Sequence, residues 1–120
     1  MLARMHGTAV QLEVSPGFGN GGAGERELAL LRIAHEALHN AVRHARAEHV
    51  LVRLGADDGT LVVEVSDDGV GFDPDAAEVR SRHLGLTSME ERARELEGRL
   101  RIRSSPGAGT TVRVELSRDG

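Results

Sequence analysis

Apolar and polar positions alternate along this chain with two different periods, and the switches between them mark the elements. Val10, Leu12 and Val14 alternate with Gln11 and Glu13, which predicts a half-buried strand from about Thr8 to Val14. Ser15 to Gly24 holds Pro16 and five glycines and reads as a loop. From Glu25 to about Ala45 the period changes. Leu28, Leu31, Leu38, Val42 and Ala45 recur at spacings of three, four and seven, which predicts a helix with that set as its buried face. Glu25 and Glu27 at its start and His44 and Arg46 at its end suit the helix dipole. Alternation returns at His49 to Gly55 (Val50, Val52, Leu54) and at Leu61 to Ser66 (Leu61, Val63, Val65), with Asp57-Asp58-Gly59 as the hairpin turn between. Leu86 to Leu96 reads as a second helix stopped by Gly98. Arg99 to Arg103 and Thr110 to Leu116 alternate again, the latter with Val112, Val114 and Leu116 inward. The order β-α-β-β-loop-α-β-β predicts an α+β sandwich, with helices on one face of a mostly antiparallel sheet.

At 120 residues the chain is expected to be one domain. Asp and Glu outnumber Lys and Arg, 19 to 15. Duplex nucleic-acid binders usually carry a basic surplus, because phosphate neutralisation supplies most of their affinity, so no nucleic-acid partner is expected. There is no cysteine, hence no disulfide framework and no thiolate metal site. No apolar run approaches the ~20 residues that span a bilayer, and Met1 to Gly7 lacks the apolar stretch of a secretory signal. The expectation is a soluble, cytoplasmic chain that makes no membrane contact itself, whether or not a longer protein carries an anchor. Phe18 and Phe72 are the only aromatic residues apart from histidine. The core must be aliphatic, and a flat ligand ring would be held by hydrogen bonds and aliphatic walls.

Three segments carry candidate chemistry: His35 to His44, Asp67 to Phe72, and Gly107 to Thr110. On the first helix Leu28, Leu31, Leu38 and Val42 share one side, while Arg32, His39, Arg43 and Arg46 mark a solvent side. Glu36 and Asn40 fall on a third arc with Ala29, Ile33 and Ala37, and a wholly solvated face would not be lined with alanine and isoleucine. The two side chains either face a partly enclosed space or are ordinary surface polars four apart. Asn40 offers a carbonyl oxygen suited to Mg²⁺ held mostly by phosphates and water. Glu36 could orient or deprotonate an attacking group. Arg43 and His44 could meet a phosphate, though His44 serves equally as a partner of the helix dipole.

Asp67 ends a strand and precedes Gly69 and Gly71, which would let the backbone approach a ligand closely. Its carboxylate could accept a hydrogen bond from an exocyclic amine. Taken alone, Asp-x-Gly-x-Gly is equally a simple turn, and Phe72 reads as core. Gly85 could expose backbone amides to an anion or serve as a hinge. Gly107-Ala108-Gly109-Thr110 could be a plain hairpin loop or could pack beneath a ligand.

As a set, in this order, the segments resemble the ATP-binding domain of bacterial sensor histidine kinases, in the Bergerat fold shared with DNA gyrase. The resemblance runs from about Thr8 to Leu116, the core being about 8–116. His35 to His44 looks like the N box, and Asp67 to Gly71 and His83 to Leu86 look like two glycine boxes. Gly107 to Thr110 looks like a further one. His83-Leu84-Gly85-Leu86-Thr87-Ser88-Met89-Glu90-Glu91-Arg92-Ala93 is similar to the subgroup whose kinases pair with response regulators of the NarL type.

The resemblance implies a mixed, mostly antiparallel sheet covered on one face by helices, with ATP and Mg²⁺ as ligands. Asn40 would hold Mg²⁺ through the ATP phosphates, and Glu36 would assist proton removal from the attacking imidazole or polarise a water. Arg43, His44, His83, Leu84, Gly85 and Leu86 would lie by the phosphates. Asp67 would take the adenine amine, with Gly69 and Gly71 shaping that floor and Gly109 and Thr110 supporting it. Residues of about 73–84 would form a lid. Two departures stand out: His83 where many relatives have glycine, and Asp68 where asparagine is frequent. The helical dimerisation domain that carries the phosphoacceptor histidine has no counterpart here. The γ-phosphoryl group would pass to that separate domain, then to a response regulator, and the chain alone should bind ATP and turn over little. An anti-sigma-factor serine kinase and a non-catalytic ATP-binding module are the alternatives on the same fold.

Overall fold

The structure, a computed structural model, describes residues 2–18, 24–57, 59–73 and 86–117. The alternating segments become strands β1 (Leu2–Met5), β2 (Thr8–Val14), β3 (His49–Asp57), β4 (Thr60–Asp67), β5 (Arg99–Ser104) and β6 (Thr110–Ser117). The two helical segments become α1 (Gly24–Arg43) and α2 (Leu86–Glu95). The strands form one sheet in the order β1-β2-β3-β4-β6-β5. Only β2 and β3 run parallel, as a crossover through α1 requires; the other neighbours are antiparallel. The shortest principal extent is 19 Å, which leaves room for one sheet and one helical layer of about 10 Å each. The α+β sandwich is therefore as expected.

Both helices pack on the same face. Val50, Val52, Leu61, Val63, Val65, Val112, Val114 and Leu116 turn inward from the central strands and are buried. They meet Leu30, Ile33, Ala34, Ala37 and Ala41 of α1 and Leu86, Met89 and Ala93 of α2.

That set corrects the sequence reading of α1. Leu28 is 51% exposed and Leu31 38% exposed, while Leu38, Val42 and Ala45 are half-buried. The bulky leucines at 28, 31 and 38 suggested a buried face, but the face on the sheet is the arc of Leu30, Ile33, Ala34, Ala37 and Ala41. Its three alanines let the helix come close to the sheet while Leu30 and Ile33 fill the core. Ile33 and Ala37, read as an arc apart from the core, are core. Asn40 is half-buried beside them.

Strand β1 was not foreseen. All four of its side chains are exposed, so its pattern carries no alternation. It is held by backbone pairing to β2 through a two-residue turn at His6 and Gly7, both at positive φ (51° and 85°), which suits the twist of a tight hairpin. Val14, expected inward, is 53% exposed at the far end of β2. Helix α2 does stop before Gly98, but the left-handed residue of its cap is Glu97, at φ 57°. Glu97 N–H donates to the Arg94 carbonyl (3.0 Å) and Gly98 N–H to that of Ala93 (2.8 Å), the paired bonds of a Schellman motif. Gly98 serves closeness instead, since a Cβ there would stand 3.0 Å from the Glu115 carbonyl oxygen.

The burial pattern of α1 yields a direct test. Leu30→Ala should cost about 2–5 kcal/mol of stability, whereas Leu28→Ala should stay within about 0.5 kcal/mol of the parent. Urea unfolding of the two variants decides between the two faces.

Candidate functional site

Three chain turns meet at the end of the sheet where β4 finishes and β6 begins. Asp67, the last residue of β4, pairs with Thr110, the first of β6. The chain then passes through Gly69 and Gly71. Val70 N–H donates to the carbonyl of Ala45, just past α1 (2.8 Å), and Gly107 N–H donates to the carbonyl of Val70 (2.6 Å). A side chain on Gly69 would run into the Ala45 backbone. Gly71 and Gly109 are both at positive φ (68° and 75°). A Cβ on the first would strike the Ser105 carbonyl, and on the second the Asp67 carbonyl. These glycines are backbone contacts between loops, with no space for a methyl group.

Ser104 locks the same junction. Its hydroxyl accepts from Phe72 N–H (2.8 Å) and donates to the Gly109 carbonyl (3.0 Å). Its one proton being used there, the 2.8 Å contact with the Thr110 hydroxyl must have Thr110 as donor. Thr110 Oγ1 is thereby left as an acceptor.

The junction forms one end of a cavity of about 140 Å³. Asn40 and His44 of the α1 end, Asp67, Gly71, Leu86 and Thr110 line it together with Ala37, Val65, Phe72 and Val112. The structure thus brings six of the expected site residues to one space. The Asn40 side-chain oxygen is a buried atom on its wall. His44 lies edge-on to His39, with ring centroids 5.9 Å apart.

The other expected residues lie elsewhere. Glu36 lines a separate groove between α1 and α2, with Leu28, Leu31, Arg32, His35, Ser88, Met89 and Arg92. Arg43 lines a third, with Met5, His6, His35 and His39. Gly69 and Gly109 support the loops from behind the cavity lining. His83, Leu84, Gly85 and the lid beyond Asp73 lie outside the described residues. Sequence reasoning missed Ser104, which looked like one more polar loop residue. It also missed the valine walls, because Val65 and Val112 continue a strand alternation that signals only a core.

Asp67 Oδ1 accepts from Gly69 N–H (2.8 Å). Its carboxyl is pushed up from the ordinary 3.8, chiefly because burial strips water from the carboxylate; backbone hydrogen bonds from Gly69 and Thr110 oppose the rise and Asp68 adds to it. Asp68 goes the other way. Bonds from the His49 backbone and ring lower its carboxyl, and the Glu48 backbone helps. Its Oδ1 accepts from the Glu48 and His49 amides (both 2.9 Å), and its Oδ2 lies 2.9 Å from His49 Nδ1. One aspartate clamps the strand; its neighbour is left facing the cavity. What the space can hold is therefore a flat apolar body with a hydrogen-bond donor at the Asp67–Thr110 end. Among the described residues no group of three or more His, Asp or Glu side chains could hold a metal ion. A cation at Asn40 would need most of its oxygens from the ligand, which fits Mg²⁺ carried on phosphates.

Residues 25–120 match the family described as histidine kinase-, DNA gyrase B-, and HSP90-like ATPase. The chain belongs to that family. It is 41% identical over 92 residues to the sensor histidine kinase ComP of Bacillus subtilis (strain 168), covering 77% of this chain and 12% of that protein. It is 40% identical over 85 residues to the nitrate/nitrite sensor protein NarX of Escherichia coli (strain K12), covering 71% of this chain and 14% of that one. The histidine kinase domain from the Erythrobacter litoralis EL346 blue-light activated histidine kinase has the same fold. Its TM-score is 0.73, at 24% identity, over 92% of this chain and 51% of that chain. This member of the histidine kinase-type ATPases thus spans less than a fifth of ComP and of NarX. No described helix is long and apolar enough to cross a membrane.

Two outcomes follow from the junction. Asp67 is raised, so its ionised form is the less stable one in the fold: its contribution is fully present below 3.8 and lost as pH rises through the folded value. Asp67→Asn should therefore raise the melting temperature at neutral pH, and the gain should fade as pH drops through the folded pKa. A difference that stays constant with pH would remove the carboxylate as its cause. Ser104→Ala should cost about 1–3 kcal/mol, the penalty of leaving half-buried polar groups unpaired, and should speed hydrogen exchange at the Phe72 amide.

Proposed function

We propose that this domain binds ATP with Mg²⁺ and supplies the γ-phosphoryl group to a histidine on a separate helical dimerisation domain, for relay to a response regulator of the NarL type. The observation that carries the reading is the pair of acceptors, Asp67 and Thr110, at one end of an apolar cavity whose other wall holds Asn40. An adenine amine is the donor such a pair selects. Aliphatic Val65, Val70 and Val112 would sandwich the ring in place of aromatic partners.

Asn40 would hold Mg²⁺ through phosphate oxygens, and the cation would offset charge on the transferring group. His44, at the cavity mouth, and Arg43, one residue before it, would face the phosphate side. Leu86, buried at the start of α2, would close the apolar wall, with His83, Leu84 and Gly85 ahead of it next to the phosphates. Glu36 lies one turn before Asn40 on α1, in the groove open between the helices. An acceptor imidazole entering along that groove would find a carboxylate able to take its proton. The residues from Asp73 to about 84 would cover the bound triphosphate. Similarity to several sensor histidine kinases supports this reading over an anti-sigma-factor kinase or a non-catalytic module. Because the acceptor histidine would stand on a separate domain, this domain by itself should bind readily and turn over slightly.

Titration calorimetry with a non-hydrolysable ATP analogue tests the reading. The parent chain should bind, and more tightly with Mg²⁺. Asp67→Ala should weaken binding by about 10–100-fold, as loss of a hydrogen bond to a charged group predicts. Asn40→Ala should remove the Mg²⁺ dependence. Unchanged affinity in Asp67→Ala would sink the adenine assignment.

A further inference from the structure

The sheet face turned away from the helices is lined with charge. Strand register aligns Glu13, Arg53, Glu64, Arg113 and Arg101 in one row across β2, β3, β4, β6 and β5. Within it Arg53 donates to Glu13 (3.1 Å), and Arg113 donates to Glu64 (2.9 Å) and to Glu115 in its own strand (2.8 Å). The described carboxylates of this face, Glu13, Glu64 and Glu115, are thus committed to Arg53 and Arg113.

Strand β5 differs. Arg99, Arg101 and Arg103 occupy alternate positions, all exposed, and no ion pair joins any of them to a described carboxylate. Arg101 and Arg99 help to lower the Glu115 carboxyl, after Arg113, which holds that group by hydrogen bond. Arg101 also stands directly opposite Arg113, and like charges so placed cost stability. In a chain of net charge -4, this local excess of arginine is not something the fold needs. Strand β5 also ends the sheet, so among the described strands none pairs with the outer side of its backbone. Leu100 and Ile102, half-buried, alternate with the arginines on the helix side.

Edge charges commonly guard a sheet against unwanted pairing. A row of a single sign guards selectively: it repels a second copy of itself and attracts an acidic strand. We propose that the outer edge of β5 takes an extended acidic segment of a partner protein as a further strand. Carboxylates at every second position, about 6.6 Å apart, would meet Arg99, Arg101 and Arg103, and the apolar residues between them would lie against Leu100 and Ile102. Single-stranded nucleic acid could match the charges but could not use the open backbone, which is why a peptide is favoured. The inference is independent of what fills the cavity.

A fluorescein-labelled peptide of alternating glutamate and valine, followed by anisotropy, is the test. It should bind saturably to the parent chain and weaken with added salt. Replacing all three arginines (Arg99→Gln, Arg101→Gln, Arg103→Gln) should weaken it about tenfold or more, with the melting temperature of the variant kept or raised, because the side chains are exposed and the opposition of Arg101 to Arg113 is relieved. N-methylation of alternate peptide bonds on the pairing edge should abolish binding. The proposal is overturned by an absence of binding, by equal binding to the triple variant or by indifference to N-methylation. It is overturned equally by tighter binding of a single-stranded oligonucleotide, or by a dimer of the chain that the triple variant loses.

Discussion

Everything at the site depends on the direct contact of two backbones, where the loop after β4 lies on the loop between β5 and β6. Gly71 rests against the Ser105 carbonyl and Gly109 against that of Asp67, and the Ser104 hydroxyl ties both sides together. Strand register sets Thr110 beside Asp67, and that closeness folds both loops against the pair to close the polar end of the cavity. Glycine is required here for two separate reasons, positive φ and absent volume. Either alone could have been met another way; together they leave one residue type.

The same junction couples the sheet to the helix. Val70 binds the chain just beyond α1, so the end of that helix, with Asn40 and His44, is placed relative to Asp67 by backbone bonds instead of mobile side chains. Asp67 itself is held at some cost to the fold, since burial disfavours its ionised form. On the proposed reading, a ligand amine would supply a further donor to this desolvated carboxylate. Asp68 beside it, exposed and bonded by two amides and an imidazole, shows what the same residue type does when its task is to hold a strand end.

The strands were legible because a period of two with valine and leucine has one economical explanation, a sheet with a single buried face. Strand β1 was not, since a strand exposed along its length leaves no alternation; only His6-Gly7 at its turn gave a signal. The helix was legible in extent and misread in orientation. Periodicity found several arcs on α1, and the heavier leucines drew attention from Ile33, Ala34 and Ala37, on which the helix sits. Gly69 and Gly71 were read as letting the backbone approach a ligand; in the structure what a side chain there would meet is the backbone of Ala45 and of Ser105.

By itself, the sequence determined the type of every described element but β1, because local propensity and turn chemistry act between near neighbours in the chain, and the order of its motifs pointed to the family. It also determined that Asp67, Asn40 and Thr110 belonged to one candidate set. Only the tertiary structure decided which of that set share a cavity. It separated Glu36 into the groove between the helices and Arg43 into another beside the β1–β2 turn, and it made Ser104 a joint of the site. Those outcomes depend on the angle at which α1 lies on the sheet and on contacts between distant segments, such as Phe72 with Ser104, 32 residues apart in sequence. Packing volume and backbone clearance set both, and neither is a property of any one segment.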